Sequence, residues 1–235
     1  MNSLAFREDV FDPFMGSQIT ATFINVQIIT TIVHKMTTIL KPGIEKILNI
    51  FYKNQNQQTH LRELSRMTKM HGQSITRYLK ALEKEGILKS EKKGNLKQYS
   101  LRMNKKACFT RALFDIEKFE KLPDMRKSAV AAYIRKLPEM PVFIVLFGST
   151  AKETYTAESD MDLLLIANRK IQARDAEKEA DALNAVKIST FQMTYSDFIK
   201  ELKLKEDNVV QSALQTGYPL MNHLFYYEAL QNEGI

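Results

Sequence analysis

The stretch VFIVLFGSTAKETYTAESDMDLLLI, residues 142–166, decides the fold of the C-terminal half of this chain. An apolar run ends at Gly148-Ser149, a polar segment follows, and a second apolar run begins with Asp160 and Asp162. Residues i and i+2 of a strand point to the same side of a sheet. We therefore expect the two carboxylates to lie side by side at the start of a strand, with Met161 in the core.

These residue types suit phosphate and metal chemistry. Two neighbouring carboxylates provide the oxygen ligands that Mg²⁺ prefers, and such a cation also holds a triphosphate. Gly148 lets the backbone approach a phosphate closely, and Ser149 at the start of a helix offers a hydroxyl and an N–H. The alternative is a turn between two strands with solvated Asp at the edge. Asp is depleted in strands, which argues against that alternative.

The pattern resembles the minimal nucleotidyltransferases of the DNA polymerase β superfamily, whose signature is an apolar strand, Gly-Ser, a short spacer and Asp-apolar-Asp. Lys152 stands where relatives often carry Arg. The resemblance implies an α+β domain with a mixed sheet. It also implies Asp160 and Asp162 as catalytic ligands of Mg²⁺ or Mn²⁺, and an NTP held by Gly148, Ser149 and Lys152.

The resemblance also implies a third carboxylate on a later strand, and this sequence does not supply it. The corresponding strand is predicted at residues 186–193, which contain no Asp or Glu, and Lys187 or Ser189 falls near the expected position. Three explanations stay open. The strand alignment is shifted, or the chemistry is impaired, or an acid arrives from elsewhere, with three candidates nearby in sequence: Asp175, Asp181 and Asp197.

A second pattern occupies residues 41–103. Apolar spacing predicts a helix at 43–54, a second helix that Thr59 can cap and whose apolar face includes Met67, and a third from 71 to 85 that Gly86 ends. Two strands at 87–91 and 96–101 enclose a basic hairpin tip. The arrangement resembles the winged helix-turn-helix regulators of prokaryotes, which implies duplex DNA as partner. The candidate DNA contacts on the third helix and the hairpin are Gln73, Ser74, Thr76, Arg77, Lys80, Lys92 and Lys93. A winged helix used only for protein contacts is the alternative.

Charge separates the two patterns. Residues 41–103 hold 14 Lys and Arg against 5 Asp and Glu, whereas residues 137–235 hold 9 against 15. A basic module indicates nucleic acid as a partner. We predict four segments: an arm of unclear structure at 1–40, the winged helix-turn-helix domain at 41–103, linker helices at 104–137, and the nucleotidyltransferase-like domain at 138–235. Met36 is an alternative start of translation.

Composition restricts the class of protein and its location in the cell. The single cysteine, Cys108, excludes an internal disulfide framework and predicts a cytoplasmic protein. No stretch is long and apolar enough to span a bilayer, so no membrane partner is expected. A homodimer is predicted, because one winged helix offers few base contacts. The helices of residues 104–137 are the expected contact, because they carry more apolar positions than a connector needs, and residues 1–40 are the second choice.

Three functions are consistent with the sequence. The first is an enzyme that transfers a nucleoside monophosphate from an NTP to an acceptor hydroxyl. The second is a DNA-binding transcriptional regulator whose nucleotidyltransferase-like domain is catalytically impaired. The third, an antitoxin-like role, is weaker, since minimal nucleotidyltransferases that pair with toxins do not usually carry a fused winged helix.

Overall fold

The N-terminal part of the described chain is a three-helix unit with a small antiparallel sheet. The structure is a computed structural model that describes residues 41–53 and 58–234; the predicted arm at 1–40 lies outside them. The elements in chain order are α1 (Pro42–Lys53), β1 (Thr59–His60), α2 (Leu61–Thr68), α3 (Gly72–Lys84), β2 (Leu88–Lys93) and β3 (Leu96–Leu101). The three strands lie in the order β1-β3-β2 within the sheet.

This unit has its own core because the apolar stripes of its helices converge. Ile47, Leu64 and Leu79, one from each helix, have no exposed surface and belong to one cluster with Leu88 of the hairpin. Burying an aliphatic side chain of this size contributes about 1.5–3 kcal/mol. The predicted three helices and hairpin are thus confirmed.

Three local predictions in this region were wrong. Thr59 does not cap α2: it lies in β1 opposite Tyr99 of β3, and His60 takes the cap position without a side-chain hydrogen bond. Strand pairing across 40 residues overrides the local capping preference of threonine. Met67, expected on the apolar face of α2, is 46% exposed. Lys92 and Lys93 end β2, so the hairpin tip itself is Gly94-Asn95.

The C-terminal part is a four-stranded mixed sheet with helices on both faces. Its strands are β4 (Phe143–Phe147), β5 (Met161–Ala167), β6 (Ile188–Thr194) and β7 (Tyr218–Pro219). They lie in the order β6-β5-β4-β7, with β5 and β6 parallel and the other neighbours antiparallel. This is the α+β architecture that the sequence predicts. The helices are α4 (Lys105–Glu120), α5 (Asp124–Lys136), α6 (Gly148–Ala151), α7 (Arg174–Asn184), α8 (Tyr195–Leu204), α9 (Asn208–Thr216) and α10 (His223–Asn232).

Alternation along the strands divides the core into two layers. Met161 and Leu163 of β5 face the layer that includes Tyr133 of α5, as predicted from the sequence. Leu164 and Ile166 face the opposite layer, under α8, α9 and α10. The side chain of Asp162, two residues before Leu164, projects on this second side at the start of β5, where it is only half-buried.

The apolar positions of residues 104–137 are largely used within the chain. Phe114 packs in the winged-helix core, and Val130 and Tyr133 pack under the sheet, whereas Phe109 and Met125 are each 54% exposed. The surplus of apolar surface that suggested a dimer contact is therefore small, and the homodimer stays a prediction. No helix in the described part of the chain has the length and apolar character needed to cross a bilayer.

A buried carboxylate connects the winged helix to the C-terminal helices. Asp115 of α4 has no exposed surface, and it accepts hydrogen bonds from the hydroxyls of Tyr52 in α1 at 2.7 Å and of Tyr227 in α10 at 2.6 Å. Burial raises the pKa of Asp115 to about 7, although both hydrogen bonds act to lower it. Three helices that are distant in sequence thus share one buried polar cluster.

Candidate active site and nucleic-acid interface

The turn after β4 brings the backbone into direct contact with one of the two predicted carboxylates. Gly148 has φ +70°, and a Cβ at this position would collide with Oδ2 of Asp162. Only glycine combines this backbone conformation with this close approach at low cost. Ser149 follows in the four-residue helix α6. The sequence-predicted Gly-Ser turn and the Asp pair therefore meet at one edge of the sheet.

The two carboxylates lie together at the start of β5. Asp160 precedes the first strand residue, and Asp162 lies within the strand between Phe147 of β4 and Ser189 of β6. Partial burial raises the pKa of Asp162, and the negative charge of Asp160 raises it further. Mutual repulsion of this kind is relieved when a cation binds between two carboxylates.

The two residues expected in place of the third carboxylate contact the Asp pair. Nζ of Lys187 lies 2.8 Å from Oδ2 of Asp160, and Oγ of Ser189 lies 3.4 Å from the same oxygen. The hydrogen bond to Asp160 raises the pKa of Lys187. A lysine thus neutralises one of the carboxylates at the position where an acid is expected.

No third acid joins the pair from elsewhere in the described chain. Across residues 41–53 and 58–234 no three His, Cys, Asp or Glu side chains are grouped closely enough to hold a metal ion. Asp197 is engaged at the start of α8, where it accepts hydrogen bonds from Thr194 and Lys200. Asp175 and Asp181 lie on α7, and Asp181 is close enough to Lys187 for its negative charge to raise the pKa of that lysine. The prediction that Lys187 or Ser189 falls near the position of the third carboxylate is confirmed, with Lys187 directly before β6 and Ser189 within it.

A buried arginine supports the segment between the Gly-Ser turn and the Asp pair. Arg126 of α5 is only 4% exposed and donates to Oγ1 of Thr150 and to the carbonyl oxygens of Thr156 and Ser159, at 2.9–3.0 Å. Its guanidinium also lies 4.2 Å from the ring centroid of Tyr155. One side chain thus fixes both ends of the loop that leads to Asp160. Sequence analysis missed Arg126, because no local pattern in α5 distinguishes it from a solvated arginine.

An aromatic pair adjoins the site on the same face of the sheet. Phe191 of β6 is 42% exposed and contacts Phe147 edge-on, with the ring centroids 5.8 Å apart. Phe191 lies two residues beyond Ser189, so both side chains project to the same side. Sequence analysis also missed this pair, although alternation along β6 is a signal that would have placed Phe191 beside Ser189.

Lys152 is not grouped with the Asp pair. It is exposed at the C-terminal end of α6 and lines a separate cavity with Ala151 and Glu153. Its proposed contact with a nucleotide stays a prediction.

The candidate DNA contacts occupy one exposed helix face and the hairpin. Gln73, Arg77 and Lys80 of α3 are exposed, while Ser74 and Thr76 are half-buried. Thr76 donates its hydroxyl to the carbonyl of Gly72 at 2.8 Å, which limits its freedom to contact a base. Lys92 and Lys93 are exposed at the end of β2. Ile75 and Leu79 on the opposite face of α3 are buried and anchor the helix to the core.

Comparison with known proteins identifies both parts of the chain. Residues 127–217 match the family model described as a nucleotidyltransferase domain, and residues 44–89 match the model described as winged helix-turn-helix DNA-binding. The protein thus carries a winged helix-turn-helix region followed by a nucleotidyltransferase domain, which confirms the resemblances found in the sequence.

The similarity of this chain to individual known proteins is low. No curated protein matches the chain significantly. Among solved structures, the chain is similar to MepR, a transcription regulator of the Staphylococcus aureus multidrug efflux pump MepA. That alignment has 14% sequence identity and a TM-score of 0.32, and covers 48% of this chain and 90% of MepR.

Proposed function

We propose that this protein binds duplex DNA through its winged helix and binds an NTP with a divalent cation at Asp160 and Asp162, with slow transfer of a nucleoside monophosphate to an acceptor hydroxyl. The observation that carries the proposal is the contact between Gly148 and Asp162. It places a backbone turn suited to phosphate directly against the carboxylate pair. The nucleotidyltransferase and winged-helix matches support the two halves of the proposal.

The donor set suits one hard cation. Asp160 and Asp162 supply carboxylate oxygens, and the hydroxyl of Ser189 lies beside Asp160. Mg²⁺ usually takes only one or two carboxylates in a phosphate site and completes its coordination with water and phosphate oxygens. When bound, it would neutralise triphosphate charge during transfer. Lys187 must release Asp160 for this, and because its side chain is 67% exposed, water can solvate its ammonium once the contact is broken.

Residues of the chain itself would bind the phosphates, hold the loop before Asp160 in place and contact the base. The N–H groups and hydroxyl of the Gly148-Ser149 turn would bind the phosphates. Arg126 holds the loop so that Asp160 keeps its position. Phe191 presents an exposed ring on which a base can stack. No carboxylate lies at β6 to take the proton of the acceptor hydroxyl, so transfer is expected to be slow.

We predict that Ser189→Asp increases nucleotidyl transfer, because it restores a carboxylate beside the pair. General-base help is typically worth about 10²–10⁴ in rate, and an imperfectly placed base should recover about the lower value. The assay follows transfer from labelled NTP in Mg²⁺, with and without cell extract as a source of acceptor. Ser196→Asp, which adds the same charge at an exposed position of α8, is the control and should leave the rate unchanged.

The contact between Lys187 and Asp160 favours a second candidate, a DNA-binding regulator that binds nucleotide without turnover. The same assay separates the two. Mg²⁺-dependent NTP binding without transfer, in both the unaltered protein and Ser189→Asp, would support the regulator. Absence of NTP binding would contradict both candidates at this site.

We predict that duplex DNA binding has a steep salt dependence and requires the exposed face of α3. Several Lys and Arg contacts to phosphate give a linear fall of log K against log salt concentration. If Arg77 contacts a base, Arg77→Ala should weaken a preferred site by about 1–3 kcal/mol, and if it contacts phosphate it should lower the slope by about 1. Fluorescence anisotropy over a salt series measures both quantities. Lys178→Ala, on α7, is the control, and DNA affinity that does not change with salt would contradict the prediction.

A further inference from the structure

A cavity of about 790 Å³ lies apart from the Asp pair, between the winged helix, α4 and the nucleotidyltransferase domain. Tyr52 of α1, Arg111 and Phe114 of α4, and Gln211 and Leu214 of α9 are among its walls. Its size is in the range of small-molecule sites, about 300–1,000 Å³. Gly148, Ser149, Asp160 and Asp162 are not among its lining residues, whereas Lys152, which the resemblance assigns to the nucleotide, is one of them.

The walls of this cavity carry a surplus of positive charge. Among the described residues that line it, two are acidic, Glu117 and Glu153. Glu117 pairs with Lys121 at 2.8 Å, which leaves most of the cationic groups without a carboxylate contact among the described residues. A concave surface of this kind concentrates anions. The six cationic residues that line it are Lys53, Arg111, Lys118, Lys121, Lys152 and Lys205.

Arg111 is the feature that indicates a ligand. It is only 6% exposed, its Nε is buried without a hydrogen-bond partner, and it has no carboxylate within 4 Å in the described chain. Its guanidinium lies over the ring of Tyr227, 5.3 Å from the centroid, which fixes its orientation. A buried charge without a partner is unfavourable, and an anion in the cavity would remove that cost.

The carboxylate nearest to Arg111 along α4 accepts its hydrogen bonds from tyrosines. Asp115, one turn further along, uses one oxygen for Tyr52 and the other for Tyr227. Burial raises the pKa of Asp115, whereas the positive charges of Arg111 and Lys118 act to lower it, so Asp115 interacts with both cations without accepting a hydrogen bond from either. Lys118, on the same helix, is partly desolvated, which lowers the pKa of its ammonium. Among the described residues, Arg111 and Lys118 thus make no direct contact with a carboxylate, although Asp115 acts on both at a distance.

We propose that this cavity binds a small phosphorylated molecule with at least two negative charges, held by Arg111 and Lys118. Guanidinium groups suit phosphate because they donate two parallel hydrogen bonds, and the lysines add charge around them. The concave shape favours a small molecule over duplex DNA, because a DNA backbone would have to reach a guanidinium that is almost completely buried. Its two main contacts, Arg111 and Lys118, do not belong to the proposed metal-dependent NTP site.

The test measures binding of tripolyphosphate and of ATP to the full chain by isothermal titration, with EDTA present to remove metal-dependent binding. We expect both probes to bind. Arg111→Gln and Lys118→Gln should each weaken binding by about 10- to 100-fold, the loss of a charge-assisted hydrogen bond. Lys178→Gln, which removes the same charge from α7 outside the cavity, should bind as the unaltered protein does. Thermal unfolding verifies that each variant is folded.

The arms of the experiment separate the possible sources of phosphate. Equal affinity for both probes means that the phosphate chain alone is recognised, and tighter binding of ATP means that a nucleoside is contacted as well; both support the proposal. Absence of tripolyphosphate and ATP binding in EDTA, or binding unchanged in both cavity variants, would overturn it. Loss of duplex DNA binding in Arg111→Gln without any binding of tripolyphosphate would assign the cavity to the DNA interface and would also overturn it.

Discussion

Asp160→Asn and Asp162→Asn should each weaken Mg²⁺-dependent NTP binding by at least about 100-fold, because even residues one step removed from a metal cost 10–100-fold when they are changed. Each substitution replaces a charged oxygen ligand by a neutral amide in a site that has only two carboxylates. Asp160→Asn also releases Lys187, which then adds an unpaired positive charge beside the site. Titration of Mg·ATP into each variant measures the effect.

The matched control is Asp175→Asn. Asp175 is exposed in the first turn of α7, so the change removes the same charge without touching the pair. Its Mg·ATP affinity should stay within a few-fold of the unaltered protein, because an exposed charge at a distance is largely screened by salt. Unchanged affinity in both Asp160→Asn and Asp162→Asn would remove these residues from the nucleotide site.

Gly148→Ala should abolish nucleotide binding and also destabilise the fold. Alanine in the left-handed region at φ +70° costs about 1–2 kcal/mol, and its Cβ would collide with the carboxylate of Asp162. The turn or the carboxylate must move, so the phosphate-binding backbone and a metal ligand are displaced together. Thermal unfolding and titration with Mg·ATP measure the two effects separately.

Gly94→Ala separates backbone strain from the collision. Gly94, at the hairpin tip, has φ +60°, but an added Cβ there meets no atom within 4 Å. This variant should lose stability through its backbone alone and should keep its nucleotide affinity. If Gly148→Ala bound Mg·ATP as tightly as Gly94→Ala does, the contact between Gly148 and Asp162 would have no role in nucleotide binding.

The contact of Lys187 with Asp160 is the main difference between this site and the three-carboxylate site that the sequence resemblance implies. Its ammonium occupies the position beside Asp160 where a further acid is expected, and the parallel pairing of β5 with β6 places it there. The same pairing places Ser189 directly beside Asp162. The gain expected from Ser189→Asp and the loss expected from Asp160→Asn therefore test the same local geometry from opposite directions.

The sequence by itself determined the elements whose signal is local. Apolar periodicity predicted the three helices and hairpin of the winged helix, and the alternation around Met161 placed Asp160 and Asp162 beside each other. Gly148 could be predicted as a special backbone position, since glycine between an apolar strand and a polar segment is a local signal. These features depend on residues a few positions apart, so one stretch of sequence contains all the information needed.

Only the tertiary structure decided which distant side chains meet. Thr59 became a strand residue because β3 offers it a pairing partner 40 residues away. Arg126 holds the loop before Asp160, and Asp115 accepts hydrogen bonds from Tyr52 and Tyr227, which lie far from it in sequence. Long-range packing and hydrogen bonding set these contacts, and no periodicity or motif within a single segment records them.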